Sequence, residues 1–198
     1  MVKVSRTELI VGAISGKAVS FPTDTVPALA IKPEFGDRIY QIKQRPSNKP
    51  LILMGGSIRD LLPYVTYTPD ELIIWQKLIE QYLPGALTLV LPASDLVTPA
   101  MNPTQSNTIG IRIPNHLTAC QILQQTGVLA TTSANISGTD PLVSMMSISQ
   151  AFPQVLVLED ADLPKADKIG SGLPSTVVSW QNRRWKILRQ GSIKINCN

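Results

Sequence analysis

The stretch "STVVSWQNRRWKIL", residues 175–188, decides the fold class. Two runs rich in β-branched and aromatic residues, 175–180 and 185–188, flank the polar segment "QNRR", and this pattern predicts a β-hairpin. Upstream, short apolar runs predict strands over 18–21, 29–31, 51–54, 87–91, 108–113, 128–131 and 155–158. Between them, helical spacing predicts helices over about 5–15, from 33 past Ile42, and over 69–82, 117–125 and 144–152. Interleaved strands and helices suggest parallel βαβ units, but a closing hairpin breaks that order. The expectation is an α/β fold with a single twisted mixed β-sheet and packed helices, one domain over residues 1–198.

Local signals punctuate this pattern. Ser5 and Glu8 have capping-box spacing, and Gly16 stops the first helix. Leu72, Ile73, Trp75, Leu78 and Ile79 form the apolar stripe of the 69–82 helix, which ends before Pro84-Gly85. "LPASDLVTPAMNPTQSNT", residues 91–108, is expected to be the most mobile connection.

Hydrophobic residues make up 43% of the 198-residue chain and charged residues 16%, which excludes a disordered composition. No apolar run approaches the ~20 residues of a membrane helix, and the N-terminus shows no signal-peptide pattern. Cys120 and Cys197 lie far apart, as expected of incidental thiols in a reducing cytoplasm. The single histidine, His116, excludes a multi-histidine metal site and leaves no plausible Ser/His/Asp triad. The net charge of +4 is unevenly spread: +4 over residues 1–60 (nine basic against five acidic), −5 over 61–160 (two against seven) and +5 over 161–198 (seven against two). Two basic ends can meet around one anionic ligand or form a surface that binds nucleic acid.

Six stretches carry chemistry. "KQRPSNKP", residues 43–50, sets Lys43, Arg45 and Lys49 on a turn stiffened by Pro46 and Pro50, as suits cations held against an anion. In "TIGIRIP", period two places Thr108, Gly110 and Arg112 on one face and Ile109, Ile111 and Ile113 on the other. A guanidinium on a half-buried strand needs an anionic partner, either a local carboxylate in an ion pair or a carboxylate or phosphate ligand. In "ATTSANISG", Ser133 and Asn135 share one side of an extended segment and suit sugar or phosphate oxygens, or simply a turn. "FPTDTVPALA" sets Thr23 and Thr25 around Asp24, which can cap a turn or bind a metal or an amine. "GSGLPSTVV" offers flexible glycines whose amides can approach an anion, then Ser175. "KILRQG" places Arg189 at a strand end. Walker, dinucleotide-binding and nucleophile-elbow motifs are absent, so an enzyme of this sequence works by placing reactants and stabilising charge.

In order, "FPTDTV", "KQRPSNKPL", "LPGALTLVLP", "TIGIRIP", "ATTSANISG", "STVV" and "ILRQG" resemble the YrdC-like family of threonylcarbamoyl-AMP synthases, over residues 18–191. The resemblance implies a YrdC-like fold with a basic concave cavity. It implies a cytoplasmic enzyme that makes L-threonylcarbamoyl-adenylate from L-threonine, bicarbonate and ATP, with Mg²⁺, releasing pyrophosphate. Other proteins would then transfer the threonylcarbamoyl group to tRNA, and contact with tRNA itself is possible. By motif match, Thr25 and Arg112 would hold threonine, with Ser175 a further substrate contact. Lys43, Arg45, Lys49, Thr108, Ser133, Asn135 and Arg189 would line the ATP side, with Lys43 and Arg45 catalytic. The chain departs from the family in having Pro27-Ala28 where Tyr-Gly is usual, and it resembles the short form without the C-terminal extension. The rival readings are an RNA-binding module without synthase activity and a carbamoyl-adenylate-forming relative using another amine or carbamoyl donor.

Overall fold

Capped helices and short apolar strands alternate along the chain. The computed structural model describes residues 3–44, 49–104, 106–136, 138–163 and 170–195. In chain order the elements are β1 (Lys3–Val4), α1 (Arg6–Ile14), β2 (Val19–Phe21), β3 (Ala28–Ile31), α2 (Gly36–Lys43) and β4 (Ile52–Met54). Then come α3 (Ile58–Leu61), α4 (Pro69–Tyr82), β5 (Leu87–Pro92), β6 (Thr108–Arg112), α5 (Leu117–Thr126) and β7 (Leu129–Ser133). Helix α6 (Met145–Ala151), β8 (Leu156–Leu158), β9 (Thr176–Gln181) and β10 (Arg184–Arg189) complete the order.

The caps explain where the helices start. Ser5 and Glu8 exchange side-chain-to-backbone bonds at α1, and Thr68 and Glu71 do the same at α4. Pro69 sits in the first turn of α4, where its missing amide costs nothing. Pro33 opens a 3₁₀ turn, Pro33–Phe35, and α2 follows it. Strand β1 and helix α3 were not legible from periodicity, because two and four residues are too few to show a period. The hairpin turn is tighter than "QNRR" suggested. Gln181 pairs with Arg184, and the two loop residues Asn182 and Arg183 both have positive φ, 51° and 59°, as a type I′ turn requires.

The strands form one ten-stranded sheet in the order β1-β8-β2-β3-β7-β4-β6-β5-β9-β10. Pairing is mixed: β8 is parallel to β1 and β2, and β4/β6 and β5/β9 are parallel, while the other neighbours are antiparallel. One face carries Leu29, Leu53, Leu89, Ile109, Ile111 and Val178, and packs against α2, α4 and α6. Trp75 of α4 is fully buried there, edge-on to Trp180 at 6.2 Å between ring centres. Such a pair adds about 0.5–1.5 kcal/mol beyond burial of its area. The opposite face packs β2, β3 and β7 residues against Leu9, Ile10 and Ala13 of α1 and Ala119, Ile122 and Leu123 of α5.

The connection between β5 and β6 has defined anchors. Met101 is buried and its carbonyl accepts the Leu51 amide. Buried Asn102 donates to the carbonyls of Ser106 and Thr108. The Met101 contact comes from a distant part of the chain, while Asn102 braces the connection from within. Among the described residues, no helix is long and apolar enough to cross a membrane.

Candidate active site

Strand alternation that buries Ile109 and Ile111 on one face turns Thr108, Gly110 and Arg112 to the other. There they form the floor of a cavity of about 560 Å³ with residues of β3, β4, β5, β7 and β9. Gly110 keeps the floor low: a Cβ at that position would lie 2.8 Å from Ile52 Cγ2. Thr25, Thr108, Arg112, Ser133, Ser175 and Arg189, singled out from separate motifs, all line this one cavity.

Arg112 is 3% exposed. Its Nε donates to the Gly85 carbonyl at 3.1 Å, Nη1 to Thr25 Oγ1 at 2.8 Å and Nη2 to Asp24 Oδ1 at 2.7 Å. The Asp24 carboxylate also accepts the Asn115 amide. The local-carboxylate alternative is thus realised, and Asp24 serves an ion pair. A guanidinium has five N–H groups, so two remain for a ligand. Burial pushes the Arg112 pKa down, Asp24 opposes this, and the Arg189 charge adds to the lowering. The Arg189 pKa is also lowered by burial.

Arg189 is held at the other wall. Its Nε and Nη2 donate to the Ser175 carbonyl at 3.2 and 2.9 Å, and Nη2 lies 3.3 Å from Ser175 Oγ. Ser175 Oγ is 2.9 Å from Thr88 Oγ1.

Lys43 ends α2, where Gln44 takes a left-handed conformation, φ 50°. Its ammonium is buried rather than turned to solvent. It donates to Thr132 Oγ1 at 3.2 Å, the Ser133 carbonyl at 2.6 Å and Asn135 Oδ1 at 3.1 Å. Ser133 Oγ donates to the same Asn135 oxygen at 2.6 Å. The "KQR" and "SAN" motifs are therefore in contact, with Lys43 and Asn135 behind the cavity-lining Thr132 and Ser133. Lys49 is exposed and does not line the cavity, and its carbonyl accepts the Tyr40 hydroxyl. Arg45 lies outside the described residues.

The glycines of "GSGLPSTVV" act differently from the anion-binding expectation. The amides of Gly170, Ser171 and Gly172 donate to the carbonyls of Thr23, Asp24 and Thr25. They clamp the threonine loop, and Gly170 is needed because a Cβ would sit 2.2 Å from Thr25 O. Sequence reading left out Thr88 and the Gly85 carbonyl. Thr88 was detectable, as the polar residue that alternates with Leu87, Leu89 and Leu91 in β5. The Gly85 carbonyl carried no sequence signal, since it is backbone. Among the described residues, no group of His, Cys, Asp or Glu could hold a metal ion.

The family model described as telomere recombination, covering the Sua5, YciO and YrdC proteins, matches residues 14–191. The chain is 31% identical over 183 residues to the threonylcarbamoyl-AMP synthase of Hydrogenovibrio crunogenus, covering 88% of this chain and 91% of that protein. It is 30% identical to that of Vibrio parahaemolyticus, covering 89% and 93%. Pyrococcus abyssi Sua5 complexed with L-threonine matches with a TM-score of 0.78 and 28% identity, over 96% of this chain and 55% of that one. Escherichia coli YciO, at 21% identity and a TM-score of 0.79, shares the fold over 94% of this chain and 88% of that one. The chain spans nearly all of the two bacterial synthases but only about half of the Pyrococcus protein.

Proposed function

The chain belongs to the Sua5, YciO and YrdC family, and from that premise we propose that it joins L-threonine, bicarbonate and ATP into L-threonylcarbamoyl-adenylate and releases pyrophosphate. This would be the first step of tRNA threonylcarbamoyladenosine formation, with other proteins transferring the product. The observation that carries the proposal is the convergence of Thr25, Thr108, Arg112, Ser133, Ser175 and Arg189 on one cavity. A basic surface module for RNA has no need of polar side chains converging on one concave site. The threonine complex of the Pyrococcus relative supports the amino-acid substrate.

In this reading the two remaining Arg112 N–H groups take the threonine carboxylate, with Thr25 beside them. A charge-neutral Arg112–Asp24 pair binds by hydrogen-bond geometry, and Arg189 adds positive charge nearby. The threonine amine attacks CO₂ derived from bicarbonate and loses a proton, giving a carbamate. A carbamate oxygen attacks the α-phosphorus of ATP, and the bond to the β-phosphate oxygen breaks to release pyrophosphate. Ser133, Asn135, Thr108 and Arg189 belong to the ATP side, and Ser175 is a substrate contact. Lys43 would act from behind the cavity wall, through Ser133 and Asn135, while Arg45 and Lys49, on the segment that leads to the cavity-lining Pro50, would offset the charge gathering on the leaving pyrophosphate. The described carboxylates do not build a Mg²⁺ site, and Asp24 is engaged by Arg112 and Asn115. Mg²⁺ therefore belongs with the triphosphate, where it neutralises phosphate oxygens as part of the co-substrate.

The test is to supply carbon-labelled bicarbonate with ATP, Mg²⁺ and threonine, and to examine the product by mass spectrometry. Label in an adenylate of threonine is the expected result. An adenylate without label would overturn the bicarbonate step.

A further inference from the structure

We infer that Thr88, which the family motifs leave without a role, is a positioning residue that fixes the Ser175 hydroxyl as a hydrogen-bond donor into the cavity. The inference rests on the synthase reading. Thr88 is 1% exposed and lies in β5 between the fully buried Leu87 and Leu89. Its methyl faces Gly110: a Cβ added there would lie 3.3 Å from Thr88 Cγ2. The missing side chain of Gly110 thus leaves room for the methyl, and the hydroxyl is turned toward Ser175 at 2.9 Å.

Proton bookkeeping then sets the direction of the bond. Among the described residues, Ser175 Oγ is the one partner of the Thr88 hydroxyl. If Ser175 donated to Thr88, the proton of the 1%-exposed Thr88 would have no protein acceptor among the described residues, whereas by donating to Ser175 Oγ it gains one. Thr88 therefore donates to Ser175 Oγ. Arg189 Nη2, which can only donate, approaches the same oxygen at 3.3 Å. With both acceptor positions of Ser175 Oγ occupied, its own proton is left for the cavity, where both residues lie on the lining. Ser175 then presents a donor to a substrate oxygen, and valine at position 88, of nearly equal shape, would remove that constraint.

The experiment measures kcat, the threonine KM and the melting temperature for wild type, Thr88→Val, Thr88→Ser, Ser175→Ala and the Thr88→Val/Ser175→Ala double variant. Thr88→Val is expected to raise the threonine KM about fivefold to tenfold, the worth of one hydrogen bond. Thr88→Ser, which keeps the hydroxyl, is expected to stay within about twofold of wild type. The double variant should be no worse than Ser175→Ala alone, because Thr88 acts through Ser175. A wild-type KM in Thr88→Val, or a double variant whose KM multiplies the two single effects, overturns the inference. If Thr88→Val shows no cooperative melt, Thr88→Ala takes its place with the same expectations. A wild-type protein that releases no pyrophosphate with threonine overturns the synthase reading itself, a result distinct from an active wild type with an unresponsive Thr88 variant.

Discussion

Arg112 and Asp24, 88 positions apart in the chain, form an ion pair at 2.7 Å with both side chains largely buried. The same guanidinium holds Thr25 and the Gly85 carbonyl, so one residue ties β6 to the threonine loop and to the turn before β5. Arg112→Lys keeps the charge but loses the planar fork that reaches three partners at once. It is expected to weaken threonine use by about 1.5–3 kcal/mol, the range for a charge-assisted hydrogen bond. The check is the threonine KM alongside thermal melts. Unchanged threonine dependence in a folded variant would leave Arg112 with only its structural ion pair.

Lys43→Met removes the buried ammonium and leaves the Ser133 carbonyl and Asn135 Oδ1 without that donor. The expected loss of stability is about 0.5–1.5 kcal/mol, the worth of a lost hydrogen bond, because Ser133 Oγ and the Asn135 amide still donate to these acceptors. ATP turnover should fall further than stability, because the Ser133–Asn135 segment loses its anchor on the cavity side. Urea melts and turnover at saturating threonine separate the two effects.

Glu71 gives a pH signature remote from the cavity. Its pKa is lowered from 4.5, first by the Thr68 amide and then by the Trp180 indole N–H, which donates to Glu71 Oε1 at 2.9 Å. A carboxylate with a depressed folded pKa contributes stability above its unfolded value. That contribution is lost as pH falls through the folded value. Melting temperatures of wild type and Glu71→Gln should therefore differ at pH about 7 and converge as pH drops below about 4.5. A gap that persists at low pH would contradict this origin.

Gly170→Ala puts a methyl against the backbone oxygens of Thr25 and Thr23, at 2.2 and 2.5 Å in the present geometry. Backbone cannot yield as a flexible side chain does. The variant should lose about 1–3 kcal/mol of stability, the usual cost of overpacking, and raise the threonine KM as the 23–25 loop shifts. Calorimetry and steady-state kinetics test both.

Much of the fold was readable because it rests on local rules. The Ser5 cap and the alternation in "TIGIRIP" express short-range rules that survive in the tertiary structure, and of the stripe expected for α4, Trp75, Leu78 and Ile79 face the core while Ile73 is exposed and Ile74 takes the inward place. The hairpin at Asn182–Arg183 correctly signalled a mixed sheet. The partners of the site residues were less readable. That Lys43 reaches Asn135, 92 positions away, or that Gly170 clamps Thr23, depends on how distant loops meet. The bond from the Leu51 amide to the Met101 carbonyl, 50 positions on, is likewise invisible to local sequence.

The central claim is tested most directly by pyrophosphate release from the purified protein with ATP and Mg²⁺, omitting threonine and bicarbonate in turn. The account predicts rapid release only when ATP, bicarbonate and threonine are all present, with loss of signal on either omission. Release at an equal rate without threonine or without bicarbonate would contradict it.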